Sequence, residues 1–218
     1  VIGGYIESMR DGDLEATPER LSLIYSEISR LNRLVGDLRL LSQSDAGELP
    51  MNLQAIEANE LLHQAQNIFK LKAEQQSVSL LLEAETELPM IVADESRLMQ
   101  VLENLIGNAL RYTPSGGAIT IAAKFEENER LENGQECVRF SVQDNGKGIP
   151  AESLPFVFER FHRVDKSRHS DENQSGLGLA IVKAIVQSHK GKVWVESVVG
   201  KGTSFHFCIP TADTAVLD

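Results

Sequence analysis

The chain has 218 residues, 24% of them charged, with a formal net charge of −11. That length holds one domain of about 150 residues with a smaller unit beside it. The acidic balance argues against a nucleic-acid partner, which like charge would repel, and no apolar run approaches the roughly 18–20 residues of a membrane span.

Val1 to Arg10 places Val1, Ile2, Tyr5, Ile6 and Met9 at the spacing of an amphipathic helix already under way. With neither an initiating Met nor a signal peptide before it, the chain is expected to begin inside a longer protein. Asp11-Gly12-Asp13 ends this helix. A second opens at Thr17, the expected N-cap, with Pro18 at the first helical position. Leu21, Ile24, Ile28, Leu31, Val35 and Leu38 then form a heptad seam, widened by Leu34 and Leu41. So short a hairpin cannot bury that seam alone. A homodimeric four-helix bundle is expected, with packing against the next domain as the alternative.

The polar run Ser42 to Asn52 reads as a linker. A helix from Glu57 to Gln75 is expected to turn Leu61, Leu62, Ala65, Ile68, Phe69 and Leu71 inward. Val78–Glu83 and Met90–Val92 read as strands around a Glu87-Leu88-Pro89 turn. Asp94 to Thr113 predicts one helix whose stripe of Leu98, Val101, Leu102, Leu105 and Ile106 faces a core. Asn104 and Asn108 stack one turn apart on another face, either solvated and bonded to the helix backbone or held there for chemistry.

Ile119–Phe125 and Cys137–Gln143 follow as a strand pair, joined by an exposed charged loop with an Asn133-Gly134 turn signal. Ser175–Lys190 reads as a helix, Lys192–Val199 and Ser204–Ile209 as strands, and Pro210 onward as a frayed tail. The order predicts an α+β fold, a two-layer α/β sandwich with a mixed sheet, preceded by the helical hairpin. Cys137 and Cys208 lack metal-ligand spacing, so reduced thiols in a cytoplasmic setting are expected.

Three stretches could carry chemistry. Asp144-Asn145-Gly146-Lys147-Gly148-Ile149 sets a carboxylate at a strand end before two glycines, which lets backbone turn close to a ligand. Asp144 could accept a hydrogen bond from an exocyclic amine. Ser175-Gly176-Leu177-Gly178-Leu179 opens a helix whose free N–H groups suit phosphate oxygens. Between them, Arg160, Arg163, Lys166 and Arg168 form a basic island behind Phe156 and Phe158, the composition of a lid over polyphosphate or of a solvated loop. Each is weak alone.

Together the pieces are specific. Glu103-Asn104-Leu105-Ile106-Gly107-Asn108-Ala109, Asp144-x-Gly-x-Gly, Phe156-x-Phe158, Gly176-x-Gly178 and Gly200-x-Gly202-Thr203 resemble, in order, the N, G1, F, G2 and G3 boxes of sensor histidine kinases. That ATP-binding fold is shared with type II topoisomerases, mismatch-repair ATPases and a heat-shock chaperone family. The resemblance spans about Leu53 to Pro210, and the first forty-odd residues resemble the dimerisation and phosphotransfer hairpin of the same kinases. It implies residues 1–45 as hairpin, 46–52 as linker, 53–212 as catalytic ATP-binding domain and 213–218 as tail.

The resemblance also implies roles. Asn108 would bind Mg²⁺, Asn104 would support the metal and phosphates, and Arg111 would lie near the phosphates, these three being the expected catalytic groups. Tyr112 would line the base pocket, Asp144 would take the adenine amine, and Gly146 and Gly148 would let the base approach. Gly176 and Gly178 would face the phosphates and Thr203 would close the adenine pocket. Ile149, Phe158, Leu177 and Leu179 complete the nucleotide contacts, with Arg160 and Arg163 as lid contacts. Water-splitting relatives carry a Glu where this chain has Asn104, and an amide is no general base. Glu103 is expected to point about 100° away around the helix.

None of the five histidines, His63, His162, His169, His189 and His206, sits in the acceptor motif of such kinases. The resemblance therefore implies a catalytic fragment that binds ATP and Mg²⁺ and transfers the γ-phosphoryl group to a histidine elsewhere in its parent, without autophosphorylating itself. The implied partners are a second copy through the hairpin and a response-regulator receiver domain. The implied setting is the cytoplasmic portion of a membrane-bound bacterial protein. An ATP-driven conformational switch and a nucleotide-inactive dimerisation scaffold are the competing readings.

Overall fold

The computed structural model describes residues 2–85, 87–131, 134–163 and 175–212, with backbone only for 126–130. Lys166, Arg168 and His169 of the expected lid, Asn133 of the turn signal and the tail 213–218 lie outside the described residues.

Helix α1 spans Ile2–Arg10 and α2 spans Pro18–Asp45. Thr17 caps α2, its hydroxyl accepting the Arg20 N–H at 3.4 Å, with Pro18 in the first turn where its missing N–H costs nothing. The expected seam divides along its length. Leu40 and Leu41 are buried and Leu34 packs against the main core, while Leu21, Ile28, Leu31, Val35 and Leu38 remain exposed.

Strand β1 is Gln54–Ile56, α3 is Ala58–Gln75, β2 is Ser79–Ala84, β3 is Ile91–Ala93 and α4 is Glu95–Tyr112. Strands β4, Ala118–Arg130, and β5, Glu136–Asp144, precede α5, Gly178–Ser188, and the final strands are β6, Lys192–Val198, and β7, Gly202–Pro210. Five strands make a mixed sheet in the order β2-β4-β5-β7-β6, with β2 parallel to β4 and the rest antiparallel. Helices α3, α4 and α5 cover one face, giving the two-layer α+β sandwich the sequence predicts. Ile119, Ile121, Phe140, Val142, Phe205 and Phe207 alternate inward from three neighbouring strands. Phe140 and Phe207 stack with centroids 4.8 Å apart.

Several expectations change. Val78–Glu83 and Met90–Val92 are strands but not partners, because β2 joins the main sheet while β3 pairs with β1 in a separate two-stranded sheet. At three residues, β1 is too short to show periodicity. On α3, Ile68 and Leu71 are exposed, whereas Leu61, Leu62 and Ala65 are buried and Phe69 is half-buried. At 100° per residue, Leu71 falls on the opposite side of the helix from that cluster. The expected exposed loop after Phe125 is partly strand, since β4 runs to Arg130 and Leu131 is buried beside Cys137 and Cys208. Pro210 is no frayed end: it closes β7, Thr211 bridges to Ile91, and the Ala212 N–H donates to the Met90 carbonyl. The linker run is not loose either, as α2 continues to Asp45 and Leu49 is buried.

Candidate nucleotide site

Helix α4 is fixed at both ends. The Asp94 carboxylate accepts the Arg97 N–H at 3.1 Å, the Ser96 hydroxyl at 2.7 Å and the Asn52 N–H at 2.9 Å. Burial pushes this carboxyl up, but those three donors and the Arg97 charge together hold it below the usual value. Its backbone N–H donates to His189 Nε2 at 3.0 Å, while His189 Nδ1 lies 2.8 Å from the Ile185 carbonyl, so the ring is neutral with the proton on Nδ1. At the far end Thr113 Oγ1 donates to the Ala109 carbonyl at 2.7 Å. With Leu98, Val101, Leu102, Leu105 and Ile106 all fully buried, the rotation of the helix is set.

That rotation puts Asn104, Asn108 and Arg111 on the wall of a cavity of about 270 Å³, opposite Ser175, Gly176, Gly178 and Leu179. Asn104 Nδ2 donates to the Gln100 carbonyl at 2.9 Å, so one half of its amide is held by its own helix. The Oδ1 half abuts Gly178, where an added Cβ would lie 2.8 Å from it. A side chain at Gly178 would displace that amide, and one at Gly176, where φ is +69°, would meet the Phe161 backbone, which gives the Gly176-x-Gly178 spacing a steric reason. No side chain caps α5. Its first N–H groups are left without intrahelical partners beside Asn104, and the positive end of the helix dipole adds to them. Glu103, expected to point away, also lines this cavity.

The other half of the site lies at the end of the sheet. Asp144 ends β5 between Ile119 and Thr203 in register and is 6% exposed. Burial pushes its carboxyl up, opposed by the Gly146 N–H, 2.8 Å from Oδ1, and by the Thr203 N–H. Gly202 takes φ +117°, and a Cβ there would run into the Asp144 carbonyl oxygen. A side chain at Gly146 or Gly148 would meet the backbone of Tyr112 or Val198. Tyr112 is partly exposed with the Lys147 ammonium 4.9 Å from its ring centre.

Ser197, on β6, ties these turns together and was not singled out by the sequence. Its hydroxyl donates to the Gly202 carbonyl at 2.8 Å, accepts the Ile149 N–H at 2.8 Å and lies 3.0 Å from Thr203 Oγ1. With its one proton on Gly202, the Thr203 hydroxyl is the donor in that last pair.

The sequence model of the histidine kinase-, DNA gyrase B- and HSP90-like ATPases matches residues 93–213, more than half of the chain. The chain belongs to this ATPase family. Among curated relatives, the sensor histidine kinase WalK of Bacillus subtilis is 35% identical over 209 residues, which cover 94% of this chain and 33% of that kinase. The chain thus spans about a third of that relative's length. Among solved structures, full-length ShkA in complex with AMPPNP superposes with a TM-score of 0.72 at 29% identity, over 93% of this chain and 41% of that one. Histidine kinase ThkA in complex with the response regulator protein TrrA does so with a TM-score of 0.70 at 29% identity, over 97% and 57%. The chain is thus a histidine-kinase-type ATPase catalytic domain of the kind found in sensor kinases, and among its described residues no helix is long and apolar enough to cross a membrane.

Within this ATPase domain the expected site residues fall into three sets. Asn104, Asn108, Arg111, Gly176, Gly178 and Leu179 share the cavity. Asp144, Gly146, Gly148, Ile149 and Thr203 cluster at the sheet end with Tyr112 beside them. The remainder point elsewhere. Leu177 is fully buried, and Phe158 packs edge-on against Phe205 at 6.2 Å. Arg160 ion-pairs with Asp45 at the end of α2 at 2.6 Å, and half-buried Arg163 does not line the cavity. His162 does line it, half-buried, its ring tilted on Phe156 at 6.0 Å. The sequence gave no signal for Arg30, Arg33 and Asp37 of α2 or for Lys72 of α3, and Leu34 was expected only as part of the hairpin seam, yet all line the same cavity.

Proposed function

We propose that this chain is the catalytic portion of a sensor histidine kinase, binding Mg·ATP and transferring its γ-phosphoryl group to a histidine of the parent protein for relay to an aspartate of a response regulator. The observation that carries the reading is the arrangement of polar groups about α4: two asparagine amides, an arginine and an uncapped helix N-terminus on one cavity, with a buried carboxylate at the sheet end beside the last turn of the helix. These residues fit the nucleotide. In a chain of net charge −11, the cavity gathers Arg30, Arg33, Lys72 and Arg111. A hard cation would take one neutral oxygen from Asn108, leaving its other positions to phosphate and water, as Mg²⁺ prefers.

Bound there, Mg·ATP would supply the phosphoryl group, and the residues' part is positioning and charge stabilisation. Asp144 holds the base end in place through the exocyclic amine, with Thr203 beside it. Asn104, Arg111 and the N–H groups of α5 hold the phosphate oxygens in line for a nucleophile brought from outside the domain. The exposed stripe Leu21, Ile28, Leu31, Val35 and Leu38 supports pairing with a second copy, and the receiver domain would dock on the resulting bundle. The parent's attachment to a membrane would lie in segments other than these.

The test is calorimetric titration of the chain with a non-hydrolysable ATP analogue, with and without Mg²⁺. Binding that strengthens with Mg²⁺ and disappears in Asp144→Ala is expected; a folded wild-type chain that binds nothing refutes the reading. Glu103 on the cavity wall favours a second reading, ATP hydrolysis driving a conformational switch. Fast phosphate release from Mg·ATP that Glu103→Gln abolishes would support it.

A further inference from the structure

We infer that helix α2 of the hairpin forms part of the nucleotide site, with Arg33 and Arg30 contacting the terminal phosphate, so that a triphosphate bridges hairpin and catalytic domain where a diphosphate does so less. The inference rests on the proposed nucleotide function and adds a recognition element that none of the five sequence motifs contains.

The cavity has two walls of different origin. Asn104, Asn108, Arg111 and the start of α5 form one, and Arg30, Arg33, Leu34 and Asp37 of α2 face them. The facing wall is held there. Leu40 and Leu41 are buried, Leu34 packs on the core, and Asp45 is paired with Arg160 at 2.6 Å. Direction along the site follows from α4. Asp144 and Gly146 sit by Tyr112, and Asn104 is eight residues earlier, or about 12 Å along the helix at 1.5 Å per residue. With the base at Asp144, the end of the polyphosphate farthest from it faces α2.

Charge on this wall is poised for exchange. Arg30 is paired with Glu27 at 2.7 Å on the same helix, with both side chains partly exposed. Arg33 acts on Asp37, whose half-buried carboxyl is pushed up by burial against the pull of Arg33. Asp37 and Glu103 are the carboxylates on the cavity, against the cations of Arg30, Arg33, Lys72 and Arg111. An incoming phosphate competes with Asp37 for Arg33, and guanidinium groups match phosphate oxygens in a bidentate fork.

The experiment is isothermal titration of the full chain, in Mg²⁺, with ADP and with a non-hydrolysable ATP analogue. Wild type is expected to prefer the analogue. Arg33→Ala is expected to weaken the analogue on the order of tenfold, as for loss of a charged hydrogen bond, and ADP by less than about twofold. Arg33→Lys should keep most of the preference, and Asp37→Asn should tighten the analogue by removing a competing carboxylate. Hydrogen exchange should show α2 from Arg30 to Leu41 more protected with the analogue than with ADP, a difference absent in Arg33→Ala. Arg33→Ala weakening both nucleotides equally, or neither, overturns the inference and leaves the nucleotide function standing. Wild type binding neither nucleotide overturns both.

Discussion

Asp144 is 6% exposed, and taking its carboxylate out of water raises its pKa above the ordinary 3.8 despite two backbone N–H donors. If the charged form is what accepts the adenine amine, nucleotide affinity should fall as the solution is acidified, beginning at a higher pH than for an ordinary aspartate. Titrations at stepped pH would show it, and Asp144→Asn should remove both the affinity and its pH dependence. His189 gives a second pH signal, in stability rather than affinity. Burial lowers its folded pKa below 6.5, opposed by its bond to the Ile185 carbonyl and by the Asp94 charge. The unfolded chain therefore binds the extra proton first, so stability is full above 6.5 and is lost as pH falls through that value toward the depressed folded pKa. Urea midpoints at pH 7.5 and 5.5 should differ less in His189→Gln than in wild type. His206 contributes in the same direction, also lowered by burial, so the difference shrinks without vanishing. Ser197→Ala removes the acceptor of Ile149 and the partner of Gly202 and Thr203, and should cost about 1–3 kcal/mol, measured by denaturant unfolding. No spacing rule singles out that serine, because it joins the nearby turn at Gly202 and Thr203 to Ile149, 48 residues away; Asn104, Asn108 and Asp144 stood out because they break a helical or strand pattern in a recognisable order.

At the scale of elements, the docking of α2 on the catalytic domain combines an apolar contact with an exposed ion pair. The Arg160 and Asp45 side chains are 44% and 60% exposed, so water and salt screen their attraction, and Asp45→Ala should change stability by less than about 1 kcal/mol. Leu41 is 2% exposed, and Leu41→Ala should cost roughly 2–5 kcal/mol in the same unfolding assay. The helices were legible in sequence to within a few residues because each carries a long apolar period. Helix α5 starts at Gly178 rather than Ser175, since Gly176 takes φ +69° and cannot continue a helix backward. Strand pairing was less legible. Whether β2 lies beside β3 or β4 depends on which apolar face each can bury, and the Glu87-Leu88-Pro89 turn between β2 and β3 looks local while the true partner is β4, across α4. The hairpin's contribution to the cavity was illegible for a related reason: an arginine one turn from a leucine seam reads as an ordinary solvated face.

At the scale of the whole molecule, a long apolar stripe stands exposed among the described residues. Leu21, Ile28, Leu31, Val35 and Leu38 lie along α2 between 42% and 66% exposed, while the catalytic core is closed. Sedimentation should find the chain associated into a dimer, and Leu31→Ser with Leu38→Ser should return it to a monomer with its nucleotide affinity little changed. The sheet order carries a further consequence. Strand β7 is the last in sequence yet lies between β5 and β6, and it brings Thr203 beside Asp144. Translation therefore delivers an interior strand of the sheet last. A chain stopped by a premature codon near Gly200 would own the exposed stripe of α2 and the glycines at α5, yet would leave β6 without a neighbour and Asp144 without its wall. Through the pairing proposed above, such a product would still meet an intact copy while binding no nucleotide, so a stop codon near Gly200 is expected to act as a poison of that pairing rather than as a simple loss.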